Sequence, residues 1–296
     1  MIEILNIFLQ LIIFLTVFSF PINIRNIRFF YNEKYTLYEV IFINFIFFST
    51  ICLIFSFANL NFKLLFYFYI IFGLLNLSFN FLHLKKNYLN FIFLLFFTLN
   101  FLIFFDIASL PILNWDGLAT WSLKMNNFYF GADYQNLENI TYSHQPHLGT
   151  YLWALFSKNS FLKYEYLGRL FYIFIFVVSI FSLKTNIKNN KNYYVVILLI
   201  LTILLLTYKP YLFGGYQEYL IFSTILFIGN FFYKISNLNK INIYHLFLFS
   251  LLLNVILWSK QESLAYVFIL QIIFISFKQV SNSQRFISIF MFLTLL

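Results

Sequence analysis

Charged residues are scarce in this chain. They make up 10% of its 296 residues, whereas apolar residues make up 62%. Soluble domains carry about 25% charged residues. This shortage therefore excludes an ordinary soluble fold and predicts an all-α membrane protein that crosses the bilayer several times.

Cysteine is nearly absent. Cys52 is the only cysteine and lies inside an apolar run, which excludes an internal disulfide and a cysteine-ligated zinc site. His144 and His147 are three residues apart, but Pro146 lies between them and no Glu-x-x-His pattern accompanies them. We therefore predict no cofactor, with a divalent metal as the less favoured alternative.

The net charge is nevertheless +9. In a soluble chain such an excess of lysine and arginine would indicate nucleic acid as a partner. Here the basic residues fall between apolar runs, where they set the orientation of membrane helices. The sequence therefore predicts a protein surrounded by membrane lipid, with no nucleic-acid partner.

Apolar runs of about 20 residues, the length of a membrane span, recur along the chain. They predict helices over 4–22, 36–58, 62–83, 90–110, 164–183, 193–208, 218–233, 242–258 and 261–277. The run at 147–157 is too short to span, and either a re-entrant or an interfacial position fits it. The last run, 286–296, has about half the length of a span, which favours a fragment of a longer protein. We predict a polytopic bundle of about nine to eleven membrane helices.

Basic residues concentrate in alternate connections between these helices. By the positive-inside rule those connections are cytoplasmic. They contain Arg25, Arg28, Lys34, Lys85, Lys86, Lys184, Lys188, Lys191, Lys234, Lys240, Lys278 and Arg285. The N-terminus then faces outward, and the chain divides into N-terminal membrane helices (1–110), an outer loop (111–163) and further membrane helices (164–296).

Acidic residues follow the opposite pattern. Glu33 and Glu39 fall on the cytoplasmic side. At or near the outer ends of helices or in outer loops lie Asp106, Asp116, Asp133, Glu138, Glu165, Glu218 and Glu262. Since acidic residues contribute little to topology, a functional site on the outer face would account for this asymmetry.

The first of three polar islands on that face is NWDGLATWSLK (114–124), within the long polar segment that runs from Pro111 to Tyr151. Apolar residues recur there at spacings of three and four, which predicts a short amphipathic helix lying in the membrane interface. These residues are Trp115, Leu118, Trp121 and Met125. Asp116 is either the N-cap of that helix or a functional carboxylate.

The second island is KPYLFGGYQEYL (209–220), in which a Gly-Gly pair allows close backbone approach and Glu218 opens the next helix. Glu218 is either an acid favoured by the helix dipole or part of a site. The third island, WSKQESL (258–264), joins two apolar runs with almost no turn, so Lys260 and Glu262 lie near the hydrocarbon boundary. Ionisable groups at that depth usually mark a site, and the alternative is a snorkelling lysine paired with a glutamate.

These islands resemble motifs of the bacterial GT-C-type glycosyltransferases, the family 39-like group related to protein O-mannosyltransferases and the lipid A aminoarabinose transferase. WDGLATWSLK (115–124) is similar to the family's Trp-Asp-Ala-Leu-Ala motif and the amphipathic stretch that ends in lysine. HQPHLGTY (144–151) resembles a His-Pro-x-Tyr-Pro segment. GYQE (215–218) resembles Gly-Tyr-x-Asp, with Glu218 where aspartate is usual. SKQES (259–263) resembles Thr-Lys-Asn-Glu-Gly, with Ser263 where glycine is usual.

The resemblance implies a multi-pass enzyme of the bacterial inner membrane. Such an enzyme moves a sugar from a polyprenyl-phosphate donor to an acceptor hydroxyl on the periplasmic face, with inversion, in the synthesis of cell-envelope glycans. Asp116 matches the position of the general base. Lys260, and after it Lys124, would hold the donor phosphate. Glu218 and Glu262 would bind sugar hydroxyls or orient Lys260. The matching motifs add Trp115, His144, His147 and Tyr216 to the substrate-binding residues.

Two other classes fit a multi-spanning chain of this composition. A transporter or flippase for lipid-linked glycans would carry polar groups near the bilayer midplane, whereas charges are nearly absent from the middle of these apolar runs. A glycan polymerase or ligase would depend on outer arginines, and Arg169 is the only arginine predicted on the outer side. Both observations favour the transferase.

Overall fold

The computed structural model describes residues 2–19, 35–60, 62–79, 91–109, 111–143, 146–183, 195, 198–199, 201–202 and 216–295. These residues form helices and loops, with no β-strand among them. The helices are α1 (Ile2–Ser19), α2 (Leu37–Phe57), α3 (Phe62–Phe79), α4 (Phe91–Ser109), α5 (Ser122–Tyr129), α6 (Leu148–Lys158), α7 (Glu165–Ser182), α8 (Gln217–Ser236), α9 (Ile243–Leu257), α10 (Ser263–Ser276) and α11 (Asn282–Leu295).

Apolar runs with few charged residues become helices of membrane-spanning length. Helices α2, α4, α7 and α8 are long and apolar enough to cross a bilayer, and α2, with 21 residues, extends about 31 Å at 1.5 Å per residue. Apolar stretches of α1, α3, α9 and α10 are shorter. The predicted helices are thus confirmed as helices, except that most of 193–208 lies outside the described residues. The described part of the chain is thus helical, with four candidate membrane spans.

Helix α7 lies at the centre of the bundle. It packs against α1, α2, α4, α6 and α8, and 83% of its residues are buried. Gly168 permits the approach of α6, because a Cβ at this position would collide with the Trp153 carbonyl oxygen and the backbone nitrogen of Ser157. The core of the bundle is therefore built around α7.

Helix α6 corresponds to the short apolar run at 147–157. Residues 148–157 are all buried. The Phe156 ring lies 5.0 Å from that of Phe14 and 5.8 Å from that of Phe18, measured between centroids. Because these partners belong to α1, α6 is inserted into the bundle and does not lie on its surface.

The helices give the bundle two chemically distinct ends. At the loop end, which carries residues 111–163, the Tyr134 amide donates to Ser56 Oγ at the end of α2 (3.0 Å). At the opposite end, Lys234 Nζ of α8 lies 2.7 Å from Glu39 Oε1 of α2, and Asn230 Nδ2 donates to the same oxygen at 2.9 Å. Among the described residues that the sequence assigns to the cytoplasmic side, Glu39 and Lys234 thus lie at the end of the bundle opposite the loop.

The predicted amphipathic helix at 115–125 does form, but its apolar residues do not share one face. Trp115 and Leu118 are 74% and 54% exposed, whereas Trp121 and Met125 are 7% and 2% exposed. The reason is a π-helical turn over Gly117–Trp121, in which the Ser122 amide donates to the Gly117 carbonyl. One extra residue in that turn shifts the register of everything that follows. The single apolar stripe inferred from regular spacing was therefore wrong.

Candidate functional site

The second and third islands meet at the loop end of the bundle. Lys260 lies in the connection between α9 and α10, and its Nζ donates to Glu218 Oε1 in the first turn of α8 at 2.5 Å. Glu262 Oε2 lies 3.9 Å from the same ammonium group. Lys260 does pair with a nearby glutamate, as the snorkelling alternative expects, and the shorter contact is to Glu218, 42 residues away in the sequence.

The pKa of Lys260 reports the electrostatics of this cluster. Partial burial acts to lower that pKa, but the hydrogen bond to Glu218 and the charges of Glu218, Glu262 and Asp116 together raise it above the usual lysine value. Lys260 is therefore a firmly protonated ammonium group. The contribution of Asp116 places the first island within electrostatic range of Lys260.

Tyr216 provides a second link between the islands. Burial and the charges of Asp116 and Glu218 raise the pKa of its hydroxyl, and a hydrogen bond with the Asn114 side chain acts in the opposite direction. Tyr216 directly precedes α8, so this bond connects the start of α8 to the residue two positions before Asp116. Asn114, Asp116, Tyr216, Glu218 and Lys260 consequently form one cluster.

Asn114, and not Asp116, begins the loop helix. The Trp115 amide donates to Asn114 Oδ1 at 2.8 Å, and the Leu118 amide donates to the Asn114 carbonyl at 3.0 Å. Asp116 is already in a helical conformation and its side chain makes no capping hydrogen bond. The N-cap interpretation of Asp116 is therefore wrong, and its exposed carboxylate is available for chemistry.

Sequence reasoning did not assign a role to Asn114. The available signal was its type and position, because asparagine is a favoured N-cap residue and it stands at the start of the apolar spacing. Asp116, two residues later, is also of a favoured N-cap type and competes with Asn114 for that assignment. Its bond to Tyr216 joins segments about 100 positions apart, and no local pattern predicts such a contact.

Lys124 and His147 are buried in the packed part of the loop segment. Lys124 has no exposed surface and its ammonium lies 5.2 Å from the centroid of the Trp121 ring. Burial lowers the pKa of Lys124 to about 8. His147 is 2% exposed, its Nε2 lies 3.1 Å from the Ser143 carbonyl, and its ring packs edge-on against Phe128.

Two predicted site residues remain, Trp115 and His144. Trp115 is 74% exposed and directly precedes Asp116. His144 lies outside the described residues, as does the Gly-Gly pair at 214–215. In the part of the chain that the structure describes, no three histidine, cysteine, aspartate or glutamate side chains form a group that could hold a metal ion.

The third island is also tied to the base of the loop. The Leu148 amide donates to the Trp258 carbonyl at 3.0 Å, and the Trp258 ring lies 5.9 Å from that of Tyr134. The start of α6 and the end of α9 are thereby held together. Lys260 follows Trp258 by two residues, so its position is set by buried contacts although its own side chain is partly exposed.

This cluster has the groups needed for proton transfer and for binding a hydroxyl-rich substrate. Asp116, Glu218 and Glu262 are hydrogen-bond acceptors, and Lys260 and Tyr216 are donors. Three carboxylates and one ammonium give these groups a net charge of −2.

The chain matches no protein-family model, and no curated protein or solved structure matches it.

Proposed function

We propose that the protein is a membrane glycosyltransferase that moves a sugar from a polyprenyl-phosphate donor to an acceptor hydroxyl, with inversion at the anomeric carbon. The observation that supports this proposal most directly is the meeting of Asp116, Glu218, Lys260 and Glu262 at one end of a helical bundle. These are the residues to which the resemblance assigns the reaction.

In the proposed reaction Asp116 acts as the general base. Its carboxylate accepts the proton of the acceptor hydroxyl, and the acceptor oxygen forms a bond to the anomeric carbon of the donor sugar. The bond between that carbon and the phosphate oxygen breaks, and its electron pair leaves with the polyprenyl phosphate. A carboxylate can act in this way only within hydrogen-bond reach of the hydroxyl, which requires the exposure that Asp116 has.

Lys260 is the proposed partner of the donor phosphate, because a lysine ammonium binds phosphate as a point charge. Glu218 orients that ammonium at 2.5 Å, and Glu262 accepts hydrogen bonds from sugar hydroxyls. The ionic pair lies at the ends of helices and its side chains are partly exposed, whereas a transporter would carry its polar groups near the midplane.

The activity is tested by incubating membranes that contain the protein with a panel of polyprenyl-phosphate sugars. Donor consumption and product formation are followed by mass spectrometry, in parallel samples with magnesium and with a chelator. We expect one donor to be consumed with release of polyprenyl phosphate. Translocation of a donor across sealed vesicles without any consumption would instead support the flippase.

The proposed orientation places the loop end on the periplasmic side of the inner membrane. In a Cys52→Ser background, Asn136→Cys at the loop end and Asn237→Cys at the opposite end provide matched exposed positions. An impermeant thiol reagent added to intact cells should label the first variant and leave the second unlabelled. The reverse pattern would put the site in the cytoplasm.

A further inference from the structure

Gln217, the first residue of α8, turns its side chain into the bundle, whereas the neighbouring Glu218 belongs to the candidate site. Gln217 is 1% exposed, and its Nε2 donates to the hydroxyl of Tyr172 on α7 at 2.7 Å. Tyr172 has no exposed surface, and its hydroxyl lies within electrostatic range of the Glu218 carboxylate. The bond therefore ties the start of α8 to the central helix of the bundle, close to the site.

Gly149 of α6 leaves the space in which this bond forms. A Cβ at position 149 would collide with the Gln217 amide and would lie 2.7 Å from the Tyr172 hydroxyl, so the close approach of the three helices requires glycine. The preceding residue, Leu148, donates from its amide to the Trp258 carbonyl at 3.0 Å. The first two residues of α6 thus contact both segments that carry the ion pair, the start of α8 and the connection between α9 and α10.

The ion pair does not fix its own position. The side chains of Glu218 and Lys260 are 50% and 27% exposed, and a pair with this much exposure contributes little to the stability of a fold. The side chain of Tyr216, the N-cap residue of α8, makes no capping hydrogen bond in the described structure, and helix ends without such a cap fray. The buried amide of Gln217 supplies a fixed contact at this end of the helix.

We propose that Gln217 and Gly149 are positioning residues for the candidate site. The hydrogen bond from Gln217 to Tyr172, formed in the space that Gly149 leaves, fixes the start of α8 and thereby holds Glu218 against Lys260. Both residues act through Glu218 and not on a substrate. The effect on sugar transfer rests on the proposed function, whereas the effect on the geometry of the ion pair does not.

The proposal is tested by labelling Lys260 with acetic anhydride in protein purified in detergent. Partial burial lowers the pKa of Lys260, but the hydrogen bond and the charge of Glu218 contribute to raising it above the usual value, and only the neutral amine reacts. Loss of the ion pair therefore speeds the labelling and moves its pH profile to lower pH. Glu218→Gln defines the full effect, about two- to fivefold for a partly exposed pair, with the exposed Lys158 as the internal reference.

Two substitutions break the anchoring bond from different sides. Tyr172→Phe removes the hydroxyl without adding volume, and Gly149→Ala displaces the Gln217 amide from it. Each variant should raise the labelling of Lys260 about as far as Glu218→Gln does, with the same shift of the pH profile. Tyr172→Phe decides the outcome if Gly149→Ala lowers the amount of folded protein.

Gly229→Ala is the matched control, because it makes the same change on α8 at a position where a Cβ would meet open space. It should label as the wild type does. Labelling at the wild-type rate in Tyr172→Phe would overturn the proposal. Sugar transfer is measured in the same preparations, and a labelling response in a protein that transfers no sugar would support the positioning role and count against glycosyl transfer alone.

Discussion

The ammonium of Lys260 lies 2.5 Å from the carboxylate of Glu218, although 42 residues separate them in the sequence. Their side chains are 27% and 50% exposed. An ion pair of this kind stabilises a fold by only about 0–1 kcal/mol. The pair therefore contributes little to the stability of the fold. Binding of a phosphorylated substrate is the better explanation for its presence.

Substitution of this pair should separate activity from stability. Lys260→Gln is expected to lower the rate of sugar transfer by about 100-fold, as expected when a preorganised charge is removed, and Glu218→Gln should lower it to a smaller extent. The free energy of unfolding should change by less than about 1 kcal/mol for either variant. Transfer rates, thermal unfolding and membrane abundance are measured together. Loss of abundance in Glu218→Gln would support a helix-terminus role instead.

Asn114 is expected to act together with Tyr216. Asn114→Ala removes the side-chain bond to Tyr216 and should misplace Asp116, and Tyr216→Phe removes the same bond from the other side. Each variant should lower kcat more than it raises KM, and the double variant should be no worse than the poorer single variant. Additive losses in this cycle would show that the two residues act independently.

Lys124 should make stability depend on pH. Burial lowers its pKa from 10.5 to about 8, so between these values the unfolded chain binds more protons than the folded protein, and stability rises with pH. The thermal midpoint should therefore increase from pH 8 toward pH 9.5, below the range in which tyrosines titrate.

Lys124→Met should abolish this increase. It should also stabilise the protein at pH 7 by on the order of 3 kcal/mol, at 1.36 kcal/mol per pKa unit. Lys158→Met, at an exposed position, serves as the control and should leave the increase intact. An unchanged pH dependence in Lys124→Met would show that this lysine is not the group responsible.

The Glu39–Lys234 pair at the opposite end should affect folding and leave chemistry unchanged. The Glu39 side chain is 1% exposed and that of Lys234 is 16% exposed, so Lys234→Met leaves a carboxylate buried without its cation. We expect a loss of about 3 kcal/mol in unfolding free energy with normal transfer per folded molecule. Adding Glu39→Gln should recover part of the lost unfolding free energy. The control Lys240→Met, which changes an exposed side chain, should lower the unfolding free energy only slightly.

The sequence predicts the helices and the relative positions of their ends, because both depend on long apolar runs and on alternating charge. The run 36–58 becomes Leu37–Phe57, and Glu218 and Lys260 lie at one end because alternate connections share a side. The π-helical turn at Gly117–Trp121 escaped prediction, since a regular period contains no signal for one extra residue. The bond of Arg169 to Pro111 also escaped, because side-chain contacts between distant segments leave no local pattern.

The central claim is that Asp116 accepts the proton of the acceptor hydroxyl. Single-turnover sugar transfer by Asp116→Asn tests this claim most directly. Donor binding to the wild type and the variant is measured in the same preparation. The account predicts that Asp116→Asn binds the polyprenyl-phosphate sugar as the wild type does but transfers it about 10²- to 10⁴-fold more slowly, the usual contribution of a general base. Transfer at the wild-type rate by a folded Asp116→Asn protein would contradict it.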